Sequence, residues 1–437
     1  MNNGEAATQA TDHSTTAAPP GLAGFSVHDE DVTRCPFPFY ATLRREAPVF
    51  RDPAGSGYYV SRRRDIMYVL QHPELFSNAG YRRDPRLVDD PRKILGLEDP
   101  VLPQCPLTSP YNMAMSDPPE HTVKRRAVAG LVSREHLAAA EPAMREIADE
   151  LIDTFVGEGR AEFRSQFAAL MALLTICQLA GFPKQDRGRF RSWAMTSTHG
   201  RLFMDEAGLA TLRSDAREQM EYCMALIFER HANPTGDFLS EFVRAGVERD
   251  GGLNLPYLVS ELRLVLVAGN ETTQRLLTNA LLLLLRHPEA MERVRDDRPM
   301  VTTALEEALR LEAPTQWVSR LCVADSEVGG VPIPAGSFLL LLYGSANRDE
   351  SWERADQFDL DRPDIAKYHL AFGGGVHRCL GAPIARQEAR IALGAILDRL
   401  AGIRLDPAGS AELENIDSLQ KRVPRSLWIL FDAARRP

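Results

Sequence analysis

The sequence has no two cysteines close enough together to grip a metal or to form a redox couple. Its six cysteines, Cys35, Cys105, Cys177, Cys223, Cys322 and Cys379, are scattered singly over 437 residues. Without a C-x-x-C pair, zinc-finger and dithiol chemistry have nothing to rest on. A disulfide framework is not expected in so long a chain, which points to a reducing compartment. Long apolar runs are missing too. The longest, "LLTNALLLLLRH", falls short of the roughly 20 residues a bilayer span needs, so no membrane crossing is expected. The N-terminal "MNNGEAATQATDHSTTAAPPG" has no charged-then-apolar leader pattern; residues 1–26 read as disordered, and the expected location is the cytoplasm. An excess of basic charge is also lacking. The net charge of −9 argues against a general nucleic-acid binder. Neither G-x-G-x-x-G nor G-x-x-x-x-G-K-[ST] occurs, which removes the common phosphate-cradling loops.

What is present is an ordinary globular composition, 44% hydrophobic and 25% charged. Helical patterns dominate. "SREHLAAAEPAMREIADELIDTFVGEG" opens on a Ser133 cap and stops at glycine, and "DAREQMEYCMALIFERHANP" follows the same periodicity. The stretch from about Pro256 to His287 is apolar on nearly all sides, so it is expected to cross the interior. Strand signals are fewer: "GYYVSR", the run from Arg320 to about Gly344, and "RSLWILFD". The spacing predicts a mainly helical fold with a minor sheet, organised as one domain over residues 27–437.

Four segments carry chemistry. In "FGGGVHRCLGAP" three glycines strip side chains from the backbone, which can then lie against something flat or bulky. Cys379 sits just ahead of a helix whose Pro383 suits a first turn. A helix start favours negative charge and is expected to lower the thiol pKa, presenting a soft anionic ligand suited to iron. A buried structural cysteine is the plain alternative. "AGNETT" places Glu271, Thr272 and Thr273 in an otherwise apolar helix. A buried acid needs a partner or a task, and a threonine hydroxyl can bond back to the carbonyl one turn earlier. Glu271 either pairs with Arg275 on a solvated edge or serves, with an alcohol, as a proton carrier over a cofactor. "EEALR" sets Glu307 and Arg310 on one helical face. "DPPEHTVKRR" does the same for His121 and Arg125, a pair suited to a ligand carboxylate.

Together, in this order and spacing, these segments resemble the cytochrome P450 haem-thiolate monooxygenases of the soluble bacterial branch, from about residue 27 to the C-terminus. The resemblance implies haem b (iron protoporphyrin IX) buried between the long central helix and the Cys-loop helix, with Cys379 as the iron ligand. It implies Phe372, Gly373 and Gly381 packed about the ligand loop. His121, Arg125, Arg320 and His377 would lie at the haem propionates, and Ala268 and Gly269 would make room above the ring. Thr272, with Glu271 behind it, would relay protons into the site, and Glu307 and Arg310 would be structural. The implied activity is insertion of one atom of O2 into a small organic substrate. A peroxygenase, an atypical haem-thiolate catalyst or a non-enzymatic haem sensor are the alternatives, the acid–alcohol pair weighing against the first.

No flavin or iron–sulfur region follows the haem segment. Electrons are therefore expected from NAD(P)H through a separate reductase and a ferredoxin or flavodoxin, docking near Lys124, Arg126 and Arg378, to an enzyme expected to be a monomer. The pocket is expected to draw on residues 81–113 and 199–204, on Leu264, Val267 and Ala268, on Gln316 and Trp317, and on the turn at Leu419 and Gln420. Gln316 would be a hydrogen-bond handle favouring a moderately polar substrate such as a terpenoid, steroid or aromatic. Two departures from the family pattern stand out. Gln357 precedes Phe358 where an arginine is common, so Arg354 or Arg362 is expected to complete the Glu307–Arg310 network. "KRVPRSLWIL" lacks the usual glycine after its first arginine.

Overall fold

The computed structural model describes residues 22, 30–52, 57–79, 111–190, 193, 206–413 and 420–433. The helix expected through the interior is there as one continuous element, Leu255–Arg286, capped by the Asn254 side chain and buried on nearly every face. Helices Ala169–Leu179, Glu206–Ala232, Met300–Leu311 and Ala382–Arg399 pack around it. An apolar helix has no solvated side to present, so it becomes the axis on which the amphipathic helices close. The Ser133-capped helix runs Arg134–Asp153, with the serine side chain accepting from the His136 N–H at 3.1 Å.

The minor sheet has five strands in the order Val49–Arg51, Tyr58–Val60, Phe338–Leu342, Trp317–Cys322 and Phe76–Ser77. Its antiparallel register sets Arg320 opposite Leu339 and Val318 opposite Leu341. Opposite residues point to one side and side chains alternate along a strand, so Val318 and Arg320 share a face. A second sheet, Arg160–Glu162, Trp428–Ala433 and Leu400–Leu405, closes the far end.

One sequence expectation changes here. Leu22, within the stretch read as disordered, is wholly buried beside Phe39 and Leu340; a single leucine in a polar tract finds an apolar seat. The rest of that stretch, except Leu22, lies outside the described residues, as do residues 81–110, 199–204 and Leu419. Among the described residues no helix is long and apolar enough to cross a membrane. Cys177 and Cys223 are buried, as core residues should be.

Candidate active site

A cavity of about 380 Å³ lies between the central helix and the loop that carries Cys379. The loop enters helix Ala382–Arg399 through a single turn, Gly375–His377, and the Cys379 N–H donates back to the Phe372 carbonyl at 2.8 Å. Gly375 has φ +62°, and a Cβ there would stand 2.0 Å from the Leu70 carbonyl oxygen. No other residue fits. The glycine run thus meets a neighbouring helix, Arg63–Gln71, as well as the cavity, where Gly373 forms part of the wall.

The loop is fastened from behind by Glu306. It accepts from Arg386 at 2.6 and 2.9 Å and pairs with His369 at 2.8 Å. Burial alone would raise this carboxyl, but Arg386 and His369 outweigh burial and hold it at about 2. The Arg386 guanidinium also lies over the Phe372 ring at 4.5 Å.

Cys379 is exposed to the cavity, which its sulfur helps to line. The expected lowering of its thiol pKa does not occur in the protein by itself. Burial pushes the thiol up, and the N–H groups of Gly381 and Ala382, with the charges of Arg125 and Arg386, pull down without winning. A metal cation bound at this sulfur would favour the thiolate.

Beside the loop, four nitrogen-bearing side chains converge. His121 and His377 have ring centroids 4.1 Å apart, and Arg125 and Arg320 join them in the cavity wall. Burial, then the charges of Arg320, His121 and Arg125, push His377 down to about 2, and burial with Arg125 lowers His121. His121 Nδ1 and His377 Nε2 are buried without a hydrogen-bond partner. Among the described residues no carboxylate bonds to any of the four. Orphaned donors and unpaired cations in one corner call for a dianionic ligand, and the two propionates of haem meet that demand. The residues present therefore fit the group.

The opposite wall is the central helix. Leu264, Val265, Ala268, Gly269, Thr272 and Thr273 face the cavity. A Cβ on Gly269 would stand 2.8 Å from Ile176, so this glycine also lets helix Ala169–Leu179 approach. The Thr272 hydroxyl donates to the Ala268 carbonyl at 2.7 Å, one turn earlier, while the helix stays unbroken. Glu271 is not part of the wall. It accepts from Arg275 at 2.9 Å and from Lys421 at 2.7 Å; against the cost of burial these two cations hold it at about 2. The Arg275 pair anticipated on a solvated edge exists, but in the interior and shared with the C-terminal segment.

Behind the loop, Arg310 meets both oxygens of Glu307 at 2.7 Å, both side chains fully buried. Arg362 completes the network at 3.3 Å from Glu307, whereas Arg354 pairs outward with Asp359. Gln357 contributes its carbonyl, which accepts from Arg310 at 3.0 Å.

Several pocket residues fall elsewhere. Val267, Gln316, Trp317 and Gln420 do not line the cavity. Gln316 is wholly buried, donates to the Ala313 carbonyl at 2.9 Å and packs against Gly344; the substrate handle assigned to it is therefore a core side chain. Val267 is rotated off the stripe made by Leu264, Ala268 and Thr272. Lys124, expected on the surface, is buried between Glu120 and Ser116. In their place Met113, at the end of the expected 81–113 stretch, lines the cavity, and Asn78, Ala114, Thr315, Val318 and Tyr343 form wall that sequence reasoning missed. Only Val318 carried a signal, two residues before Arg320 on a strand.

With this geometry in view, the comparisons with known proteins converge. The family model "Cytochrome P450" matches residues 210–403. Cytochrome P450 monooxygenase PikC of Streptomyces venezuelae is 33% identical over 402 residues, 91% of each chain. Pulcherriminic acid synthase of Bacillus subtilis is 29% identical over 423 residues, 94% of this chain and 98% of its own. Among solved structures, cytochrome P450 CYP109Q5 from Chondromyces apiculatus superposes with a TM-score of 0.80 at 32% identity, covering 94% of this chain and 99% of its own. The chain belongs to the cytochrome P450 family, the haem-binding monooxygenases.

Proposed function

We propose that the cavity takes haem b with Cys379 as the iron ligand, and that the enzyme inserts one oxygen atom of O2 into a small, mainly apolar substrate. The observation that carries this is the unpaired corner of His121, Arg125, Arg320 and His377 in the same cavity as a thiol and a helix-borne alcohol. Haem so held supplies O2 activation, and a thiolate ligand favours O–O cleavage. The chain's own part is placement and proton handling. With its hydrogen given to Ala268 O, the Thr272 oxygen turns lone pairs toward the cavity and accepts from a group bound there. Glu271, ionised at neutral pH, has to leave Arg275 or Lys421 before it takes up a proton. Its role in this reading is to feed the Thr272 end of the cavity from behind.

The wall above the loop is mostly Leu264, Val265, Ala268, Leu309 and Val318, with Asn78, Thr272 and Thr315 as polar points. With Gln316 withdrawn, an apolar substrate with one or two polar groups fits best. Electrons would come from NAD(P)H through a reductase and a separate ferredoxin or flavodoxin. Arg126 and Arg378, both exposed near the Cys379 loop, support docking of an acidic carrier. A compound panel screened for the substrate-induced spin-state shift, followed by turnover of each hit under ¹⁸O2, tests the function. One labelled oxygen in the product is the expected result. NADH consumption with no label in any product of a bound compound would overturn it.

A further inference from the structure

Two turns before Ala268, on the same stripe of the central helix, stands Glu261. It is wholly buried. Its Oε2 accepts the backbone N–H of Met113 at 2.8 Å, and its Oε1 is buried without a hydrogen-bond partner. An acid placed so deep is costly and is kept only where it does something. Burial pushes its carboxyl up to about 7, against the pull of the Met113 N–H, Lys124 and Arg249. Neither cation is spent on it: Lys124 is bonded to Glu120 and Ser116, and Arg249 to Asp250 while lying over the Tyr257 ring at 3.8 Å.

What Glu261 holds is the turn Met113–Met115, whose Met113 and Ala114 are cavity wall. The turn is tightened internally, Asn112 accepting from the Met115 N–H at 3.1 Å and the Ser116 hydroxyl donating to Asn112 O at 2.8 Å. On its other side Asn78 donates to the Ala114 carbonyl. Among the hydrogen bonds of the described residues, the one Glu261 accepts ties this turn to the central helix. We propose that Glu261 is a positioning residue: by gripping the Met113 backbone it sets the gap between the Met113–Ala114 wall and the Leu264–Ala268 wall, and so the size and shape of substrate the cavity accepts. This rests on the reading of the cavity as a haem site with substrate space above it.

The test separates the two claims by ligand size. Imidazole needs only the iron; 4-phenylimidazole also needs the space between the walls. Both are titrated by absorbance into haem-loaded wild type, Glu261→Leu and Glu261→Gln. Losing a hydrogen bond to a charged or half-charged group is worth about tenfold in affinity. Glu261→Leu should therefore weaken 4-phenylimidazole by about tenfold while imidazole changes by less than about twofold. Glu261→Gln keeps an acceptor for the Met113 N–H and should bind 4-phenylimidazole within about threefold of wild type. A general packing defect would not be rescued this way. Should Glu261→Leu fail to load haem, the same bond is cut from its other end. Met113→Pro and Met113→Ala both remove the thioether, but only proline removes the N–H, and Asn112 already has the extended backbone (φ −90°, ψ 168°) that a residue before proline requires. Proline should then be the weaker binder of 4-phenylimidazole by about tenfold. An unchanged 4-phenylimidazole affinity in Glu261→Leu, or Gln and Leu variants that behave alike, overturns the proposal. Failure of the wild type to take up haem at all would instead overturn the haem reading beneath it.

Discussion

The two walls of the cavity are built on different plans. The loop side is tied down from behind: Glu306 to Arg386 and His369, Glu307 to Arg310 and Arg362, Gly375 against the Leu70 carbonyl. The helix side is smooth. Between Leu264 and Thr273 its cavity-facing residues carry, among the described residues, one side-chain hydrogen bond, at Thr272, which stays inside its own helix; only at Glu261, two turns before Ala268, does the stripe reach across to another segment. The comparison teaches a division of labour. The carboxylates behind the ligand loop are spent on protein and hold its sulfur and its unpartnered donors still; the helix wall from Leu264 to Thr273 keeps its polar groups few.

The difference can be broken first at the sulfur. Cys379→Ala should abolish the thiolate-type Soret band of the reduced carbon-monoxide complex, while Cys177→Ala or Cys223→Ala leaves it intact; a thiolate spectrum in the Cys379 variant would remove the central assignment. Next in size comes the buried pair behind the loop. Arg310→Ala takes from the fully buried Glu307 its two-pronged partner, leaving it only Arg362 and the Asp359 N–H, and should cost about 3 kcal/mol, read as a lower urea midpoint or loss of haem uptake. An effect of the same order is expected at Glu306. Its folded carboxyl lies near 2, below the ordinary 4.5. Its contribution is therefore present above the ordinary value and fades as pH falls from 4.5 towards 2, on the order of 3 kcal/mol in all. Glu306→Gln should lower stability at pH 7 and flatten that acid limb, and an unchanged limb counts against the bracket. Smallest in stability is Thr272→Ala on the helix side, under about 1 kcal/mol. Its signature is chemical instead: NADH and O2 are still consumed, product per NADH falls and hydrogen peroxide rises. A fully coupled Thr272→Ala enzyme would remove the distal relay and leave the rest standing.

Much of this was legible in the sequence because it is local. The central helix announces itself by apolar residues on all sides, and the observed Leu255–Arg286 differs from the expected span by one residue at each end. The Cys379 loop and the pairs His121/Arg125 and Glu307/Arg310 follow from short-range spacing. The misreadings are long-range. Nothing local marks Glu306, because its partners His369 and Arg386 come from other segments. Lys421 reaches Glu271 from 150 positions away, so the acid's charge state could not be guessed from its own helix. Gln316 failed because it lies just before the strand Trp317–Cys322, where its side chain turns back to the Ala313 carbonyl and fills the space beside Gly344. The lowered thiol pKa failed because the helix-start argument carries no measure of depth, and here burial outweighs it.

One strand bears on how such a protein can change. Val318, at the substrate end, and Arg320, in the cationic corner, stand two positions apart on the same face, fixed opposite Leu341 and Leu339. A register shift of one residue would send both side chains through the sheet together. The cavity can therefore be remodelled at 318 by exchange of one side chain for another, but not by lengthening or shortening this hairpin at its strands. Insertions are confined to the turns beyond Cys322 and before Phe338, and new substrate ranges along this wall have to be reached by substitution at constant length.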